Sequence, residues 1–280
     1  MLSLLVSLGL VTFVRTQGNI TCGTPVVQPV TNRIVGGVES TPYSWPYVTL
    51  LEDDLGYISG SATILNAHVL VTSAQHFEGP DFNVFDVDIA HWRVYAGEHN
   101  IHIKDPNERY YHISRVILHP AFNHSTLEND IALIVTKEAM HFNDHVRFVC
   151  LPDSSHQYTV GQLCYLPGWG STAASGNEEV LNQIDIPILS DDICLRHRPD
   201  FLPITEICAG YENGTKAFCR NDVGSPLLCK DRNGQWYIQG IASSGGNCRN
   251  HSDPDAFEDV ALFSDWVKNT MRDANYPYIP

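Results

Sequence analysis

Beyond residue 14 the chain gathers its apolar residues into short runs, each closed by Pro, Gly or an Asn/Asp cluster. Segments 47–51, 62–65, 92–96, 113–118, 131–136, 184–189 and 235–242 are of this kind. They are rich in the β-branched and aromatic residues that fit a pleated surface. A chain divided in this way predicts an all-β fold, barrels or a sandwich, rather than a helical bundle. Only 264–271 reads as helix, with Ser264 as N-cap and Phe263, Val267 and Met271 recurring on one face. With 280 residues and 43% hydrophobic content, a sizeable core is available. No repeat, low-complexity tract or charge block marks a linker.

The first stretch, MLSLLVSLGLVTFV, is apolar but shorter than the ~20 residues a membrane helix needs, so 1–18 reads as a secretory signal peptide. Eight cysteines behind such a signal, with no C-x-x-C pair, read as disulfides rather than metal ligands. Their spacing alone leaves about a hundred pairings open. Sequons at Asn19, Asn123, Asn213 and Asn250 fit the same secreted, glycosylated destination. Acidic residues number 32 against 17 basic ones, for a formal charge of −15. Such a surface repels phosphate backbones and anionic membranes, which removes nucleic acid and membrane from the expected partners.

Several motifs narrow the fold. Arg33-Ile34-Val35-Gly36-Gly37 precedes Ser44-Trp45-Pro46; then come Asn129-Asp130-Ile131-Ala132-Leu133, Gly168-Trp169-Gly170 and the segment 254–260. In this order the chain resembles the chymotrypsin/elastase-like serine proteases. The resemblance implies two six-stranded antiparallel barrels with a C-terminal helix, and a working cleft between the barrels. It divides the chain into the signal, a propeptide-like segment 19–33, a protease-like domain 34–272 and a tail 273–280.

The two segments that should carry the chemistry are altered. Where the family reads L-T-A-A-H-C, this chain reads Val71-Thr72-Ser73-Ala74-Gln75-His76. Where the family reads G-D-S-G-G-P-L, it reads Asn221-Asp222-Val223-Gly224-Ser225-Pro226-Leu227. The resemblance thus puts Gln75 at the base position, Asp130 as the triad carboxylate and Val223 at the nucleophile position. A one-residue slip would make His76 the base. The register is checked by the half-cystines: the family cysteine after the base and its partner are here His76 and Gly60, lost together. Ser225 is no substitute nucleophile, because Pro226-Leu227 and the Cys219 to Cys229 interval are unshifted. Valine offers no lone pair and a carboxamide no base, so acyl transfer is not expected. The backbone N–H groups of Asn221 and Val223 hold the oxyanion-hole positions, and Asn221 is expected to tolerate a positive φ there.

The resemblance implies further features. The bridges are Cys22–Cys150, Cys164–Cys229, Cys194–Cys208 and Cys219–Cys248. The specificity pocket is formed by Ala217, Phe218, Ser244, Gly245 and Asp255, and is expected to be blocked by Phe218; the other reading has Asp255 drawing in a Lys or Arg of a partner. Cleavage after Arg33 would free Ile34 to pair with Asp222. Glu98, Asn100, Ile103, Asp105 and Glu108 resemble a calcium loop, and a solvated acidic loop stands as the equal reading, so no cofactor is expected beyond a structural Ca²⁺. His141 and His145 read as surface histidines. Dead members of the family act as protease cofactors, inhibitor decoys or antagonists in immune cascades, so the expected partner is a protein. The competing expectation is an active endopeptidase with rearranged catalytic residues.

Overall fold

The computed structural model describes residues 20–31, 37–53, 55–77, 89–170, 177–212, 216, 218, 220–244 and 253–280, with 220 and 244 described for their backbone alone. Among the described residues are thirteen strands and two α-helices: β1 Val38–Glu39, β2 Val48–Glu52, β3 Ile58–Ile64, β4 Val69–Thr72, β5 Arg93–Ala96, β6 Arg109–Leu118, β7 Ala132–Thr136, β8 Leu163–Gly168, β9 Asn182–Pro187, α1 Asp191–His197, β10 Glu206–Ala209, β11 Pro226–Lys230, β12 Trp236–Ser244, β13 Asp255–Asp259 and α2 Val260–Asp273. All strand pairs are antiparallel, and β2-β3-β4-β7-β6-β5 close into a barrel.

The second sheet runs β1-β9-β8-β11-β12-β13-β10. It curls until Ile188 bridges Ala209, with Leu189 N–H donating to Cys208 O and Gly210 N–H to Pro187 O. Six strands thereby form the second barrel. β1 is a seventh strand laid against β9, which the expected six did not include.

The unbroken apolar runs follow from burial on both faces of a strand. Successive side chains point to opposite faces. In β7, Leu133 and Val135 face the core between the barrels, while Ala132 and Ile134 face the first barrel's interior. β11 does the same in the second barrel, with Leu228 outward and Leu227 and Cys229 inward. The inter-barrel core holds Trp45, Trp169 and Trp236; Trp45 Nε1 donates to Gln183 Oε1 at 2.8 Å, fastening one barrel to the other.

The C-terminal helix starts earlier than its sequence signal. Asp259 is the N-cap, accepting from Ala261 N–H, and Ser264 lies inside the helix, fully buried, donating to Pro152 O at 2.6 Å. A serine paired with a distant carbonyl is indistinguishable by sequence from a cap. Phe263, Val267 and Met271 face the core as the periodicity predicts. The tail is docked: Asn66 Nδ2 donates to Tyr276 O, and Tyr278 Oη accepts from Leu151 N–H. Helix α1 has no counterpart in the sequence reading.

Candidate functional site

Strand β4 leads through Ser73 into a 3₁₀ turn, Ala74–Phe77, whose Ala74 and Phe77 are buried in the first barrel. With those two side chains inward, Gln75 and His76 face the junction between barrels. Asp130 enters the same junction just ahead of β7. Asn129, with φ 57°, makes the left-handed turn that brings it there. Asp130 is fully buried and heavily bonded. Its Oδ2 accepts from Ser73 Oγ at 2.5 Å, Ser243 Oγ at 2.6 Å and Gln75 Nε2 at 2.6 Å, and its Oδ1 accepts from Gln75 N–H at 2.8 Å. The Gln75 amide also donates to Ser243 O at 3.1 Å. A carboxylate and a carbonyl can only accept, so the NH₂ side of the amide faces them and both its N–H groups are used.

Val223 follows a single right-handed 3₁₀ turn, Arg220–Asp222. Asn221 lies in that turn without a positive φ, so the expected left-handed oxyanion geometry is not adopted. Gly224, at φ 79°, supplies the reversal instead; a Cβ there would overlap Ser61 O. Val223 O accepts from Ser61 N–H at 3.0 Å, tying the loop to β3. Ser225 is buried, its Oγ makes no hydrogen bond among the described residues, and it faces Gly168. That placement does not present a nucleophile.

His76 joins the same loop. Its Nε2 lies 3.2 Å from Val223 O and its Nδ1 3.1 Å from Ser59 Oγ. A carbonyl only accepts, so Nε2 carries the proton and Nδ1 accepts from the serine. Gly60 makes room for the ring: a Cβ there would overlap Val223 O and stand 2.6 Å from imidazole Cε1. The missing half-cystine pair is therefore replaced by an imidazole packed on a glycine. Enclosure pushes the His76 pKa down to about 4, against the opposing charge of Asp130 and its bond to Val223. Gln75, not His76, is the residue that reaches Asp130.

The profile of the trypsin family matches residues 34–267. Trypsin-2 of Salmo salar is 32% identical over 241 residues, covering 86% of this chain and 96% of the relative. Chymotrypsin-C of Rattus norvegicus is 30% identical over 262 residues, covering 90% and 94%.

The chain belongs to the trypsin family.

Within this trypsin-family domain, Phe218 is buried 5.3 Å from Phe257, and its N–H donates to the fully buried Asp255 Oδ2 at 3.2 Å. The aromatic ring and the carboxylate at the pocket position are thus packed inside. Ala217, Gly245 and the Ser244 side chain lie outside the described residues. So do Arg33, Ile34, the Cys219–Cys248 pair, residues 1–19 with Asn19, and the sequons Asn213 and Asn250. Asp222 accepts from Gly170 N–H at 2.8 Å. Asn123 is solvent-exposed, its Oδ1 accepting from Ser125 N–H. Cys22–Cys150, Cys164–Cys229 and Cys194–Cys208 are bonded. His145 stacks on Tyr43 at 3.9 Å and contacts Asn107, with no metal grouping near it among the described residues.

In the 98–108 loop the carboxylate of Asp105 is bonded within the loop and to Tyr43. Asp105 Oδ1 accepts from Tyr43 Oη at 2.7 Å and Oδ2 from His99 N–H at 2.8 Å, while its own N–H donates to Glu108 Oε2. No three acidic or imidazole groups converge among the described residues. The loop ties off its central carboxylate internally, while Glu98, Ile103 and Glu108 line one cleft.

Lys216 escaped the sequence reading. It is buried and ion-paired with fully buried Asp185, which also accepts from Tyr211 Oη at 3.1 Å. The readable signal was Asp185 itself, a charge inside a strand buried on both faces, which demands a counter-charge.

Proposed function

We propose that this trypsin-family chain is a secreted serine-protease homologue without proteolytic activity that works by binding a protein, as a protease cofactor, inhibitor decoy or cascade antagonist. The observation that carries this is the bonding of Asp130. The carboxylate that would orient an imidazole accepts from Ser73, Ser243 and both the backbone N–H and the side-chain amide of Gln75. A carboxamide so held neither takes up nor returns a proton, and Val223 brings no nucleophilic atom. The buried Phe218 and Asp255 further support it, since they fill the region where a substrate side chain would enter.

The competing reading, an endopeptidase with rearranged residues, needs His76 as base. Its Nε2–H is directed at a backbone carbonyl, and enclosure lowers its basicity. The test is labelling of purified protein by a fluorophosphonate probe beside hydrolysis of a panel of peptide amides. The expected result is neither labelling nor turnover; stoichiometric labelling at a mapped serine sinks the proposal.

A further inference from the structure

Of the four sequons, the one that lies among the described residues, Asn123-His124-Ser125, sits beside an apolar groove. The turn that carries it, 121–129, is fixed by its own bonds. Asn123 N–H donates to Glu128 O at 3.0 Å, and Asn129 Nδ2 donates to Ala121 O at 3.0 Å. Asn123 and Glu128 stand directly opposite in an antiparallel bridge. That arrangement puts their side chains on one face, with Cβ atoms about 5 Å apart. Glu128 also lines a groove of about 310 Å³, completed by Asn129, Leu202, Pro203, Ile204 and Thr205. It shares no residue with the Gln75, Asp130 and Val223 cluster. The Asn123 side chain is exposed; its Oδ1 accepts from Ser125 N–H at 3.0 Å, and its Nδ2 makes no hydrogen bond among the described residues. Folding therefore neither buries nor engages the nitrogen to which a glycan is joined.

The far wall of the groove is apolar and held in place. Ile204 is 82% exposed, yet its turn is tied down three times: Thr205 N–H donates to Leu202 O at 3.0 Å, Leu202 N–H to Glu206 Oε2 at 2.7 Å, and Asp259 N–H to Thr205 O at 2.8 Å. An aliphatic side chain kept in water on an ordered turn gains stability from whatever covers it. The rim offers acceptors. Glu128 forms no ion pair among the described residues, Asn129 has its Oδ1 to spare because Nδ2 is the engaged atom, and Thr205 brings a hydroxyl. No basic side chain lines the groove, and on the turn His124 Nδ1 lies 3.2 Å from Ser125 Oγ. A sugar ring answers both walls, with an apolar C–H face for Ile204 and hydroxyl and amide donors for the acceptors. A glycan on Asn123 is also tethered within about one strand spacing of the groove, so it competes for it at the high effective concentration of an intramolecular ligand.

We infer that Asn123 carries an N-linked glycan whose first N-acetylglucosamine folds back into this groove and covers Ile204. In the transfer, Nδ2 attacks the anomeric carbon of a lipid-pyrophosphate-linked oligosaccharide of the secretory pathway. The N–C bond forms, the C–O bond breaks with its electron pair leaving on the lipid pyrophosphate, and Nδ2 gives up one proton. The inference goes beyond the protein-binding reading and needs only passage through the secretory pathway. The test uses the full chain secreted from cultured animal cells, as parent, Ser125→Ala, Ile204→Ser and the double variant. Both positions are exposed, and Ser125→Thr is the control that keeps the sequon. Glycopeptide mass spectrometry is expected to find the glycan on Asn123 in the parent, Ile204→Ser and Ser125→Thr, and not in the Ser125→Ala chains. Ser125→Ala should lower the unfolding temperature by about 2–4 °C, and Ser125→Thr should not. In the Ile204→Ser background, Ser125→Ala should change nothing, because the surface the sugar covers is gone. An unmodified Asn123, no fall in unfolding temperature, or an equal fall in both backgrounds overturns the inference. Fluorophosphonate labelling would sink the non-catalytic reading and leave this comparison standing.

Discussion

Replacing Glu258 by glutamine should make the protein more resistant to alkaline pH, and the size of the effect follows from where this carboxyl sits. Glu258 lies in β13, fully buried, with neither side-chain oxygen hydrogen-bonded among the described residues. Glu206 pairs with it across the sheet from β10, and Asp130 and Asp259 add negative charge nearby. Burial first, then these charges, raise its pKa from 4.5 to about 9. The native state therefore holds a proton that the unfolded chain gives up. Stability from this group is complete below pH 4.5 and is lost as pH rises toward 9. At about 1.4 kcal/mol per pH unit, the loss is roughly 3 kcal/mol at pH 7 and roughly 6 kcal/mol at pH 9. Glu258→Gln keeps the shape and removes the titration. Urea unfolding followed by tryptophan fluorescence at pH 5, 6, 7 and 8, with the disulfides intact, gives the difference curve between variant and parent. That difference should grow in the variant's favour with pH by about one proton's worth. A difference that is flat across the range would show that Glu258 is ionised in the native protein, and the reasoning from burial would fail.

Other consequences are open to measurement. Gln75→His together with Val223→Ser should acquire fluorophosphonate labelling that neither single variant shows, because the Asp130 cluster already offers an acceptor where an imidazole would stand. Gly60→Ala should cost roughly 1–3 kcal/mol in urea unfolding, since its Cβ must displace both the Val223 carbonyl and the His76 ring. The His76 ring protons should titrate by NMR with a midpoint near 4, well below the ordinary histidine value of 6.5. A group with its folded pKa depressed stabilises above pH 6.5, and that contribution, roughly 3 kcal/mol, should disappear as pH falls through 4.

What sequence could and could not foresee divides along physical lines. The strands were legible because a strand buried on both faces leaves an unbroken apolar run, and β7 is apolar at every position but its terminal Thr136. The fold family was legible because its motifs are fixed by backbone geometry: Gly168 and Gly170 have no room for a Cβ beside Asp222. The pairing of Gln75 with Asp130 could be anticipated, since a buried carboxylate needs donors. Three features were not legible. The helix start at Val260 was hidden because Ser264 mimics a cap. The turn at Asn221 runs right-handed, a choice set by contacts across the loop rather than by the asparagine. Lys216 reached Asp185 across 31 positions of sequence, which no local pattern records.

The replacements around the junction are not independent losses. Three of the positions that depart from the family pattern are refilled by groups that satisfy their neighbours: the Gln75 amide caps Asp130, the His76 ring fills the space over Gly60, and the Phe218 ring closes on Phe257 while its N–H serves Asp255. Random decay would leave orphaned partners at these sites, and each buried polar orphan costs about 1–3 kcal/mol in a fold whose margin is of order 10 kcal/mol. Such refilling keeps the junction between the two barrels packed and, on the non-catalytic reading proposed above, does not serve turnover. A rigid scaffold still has one use, the presentation of a surface in fixed geometry.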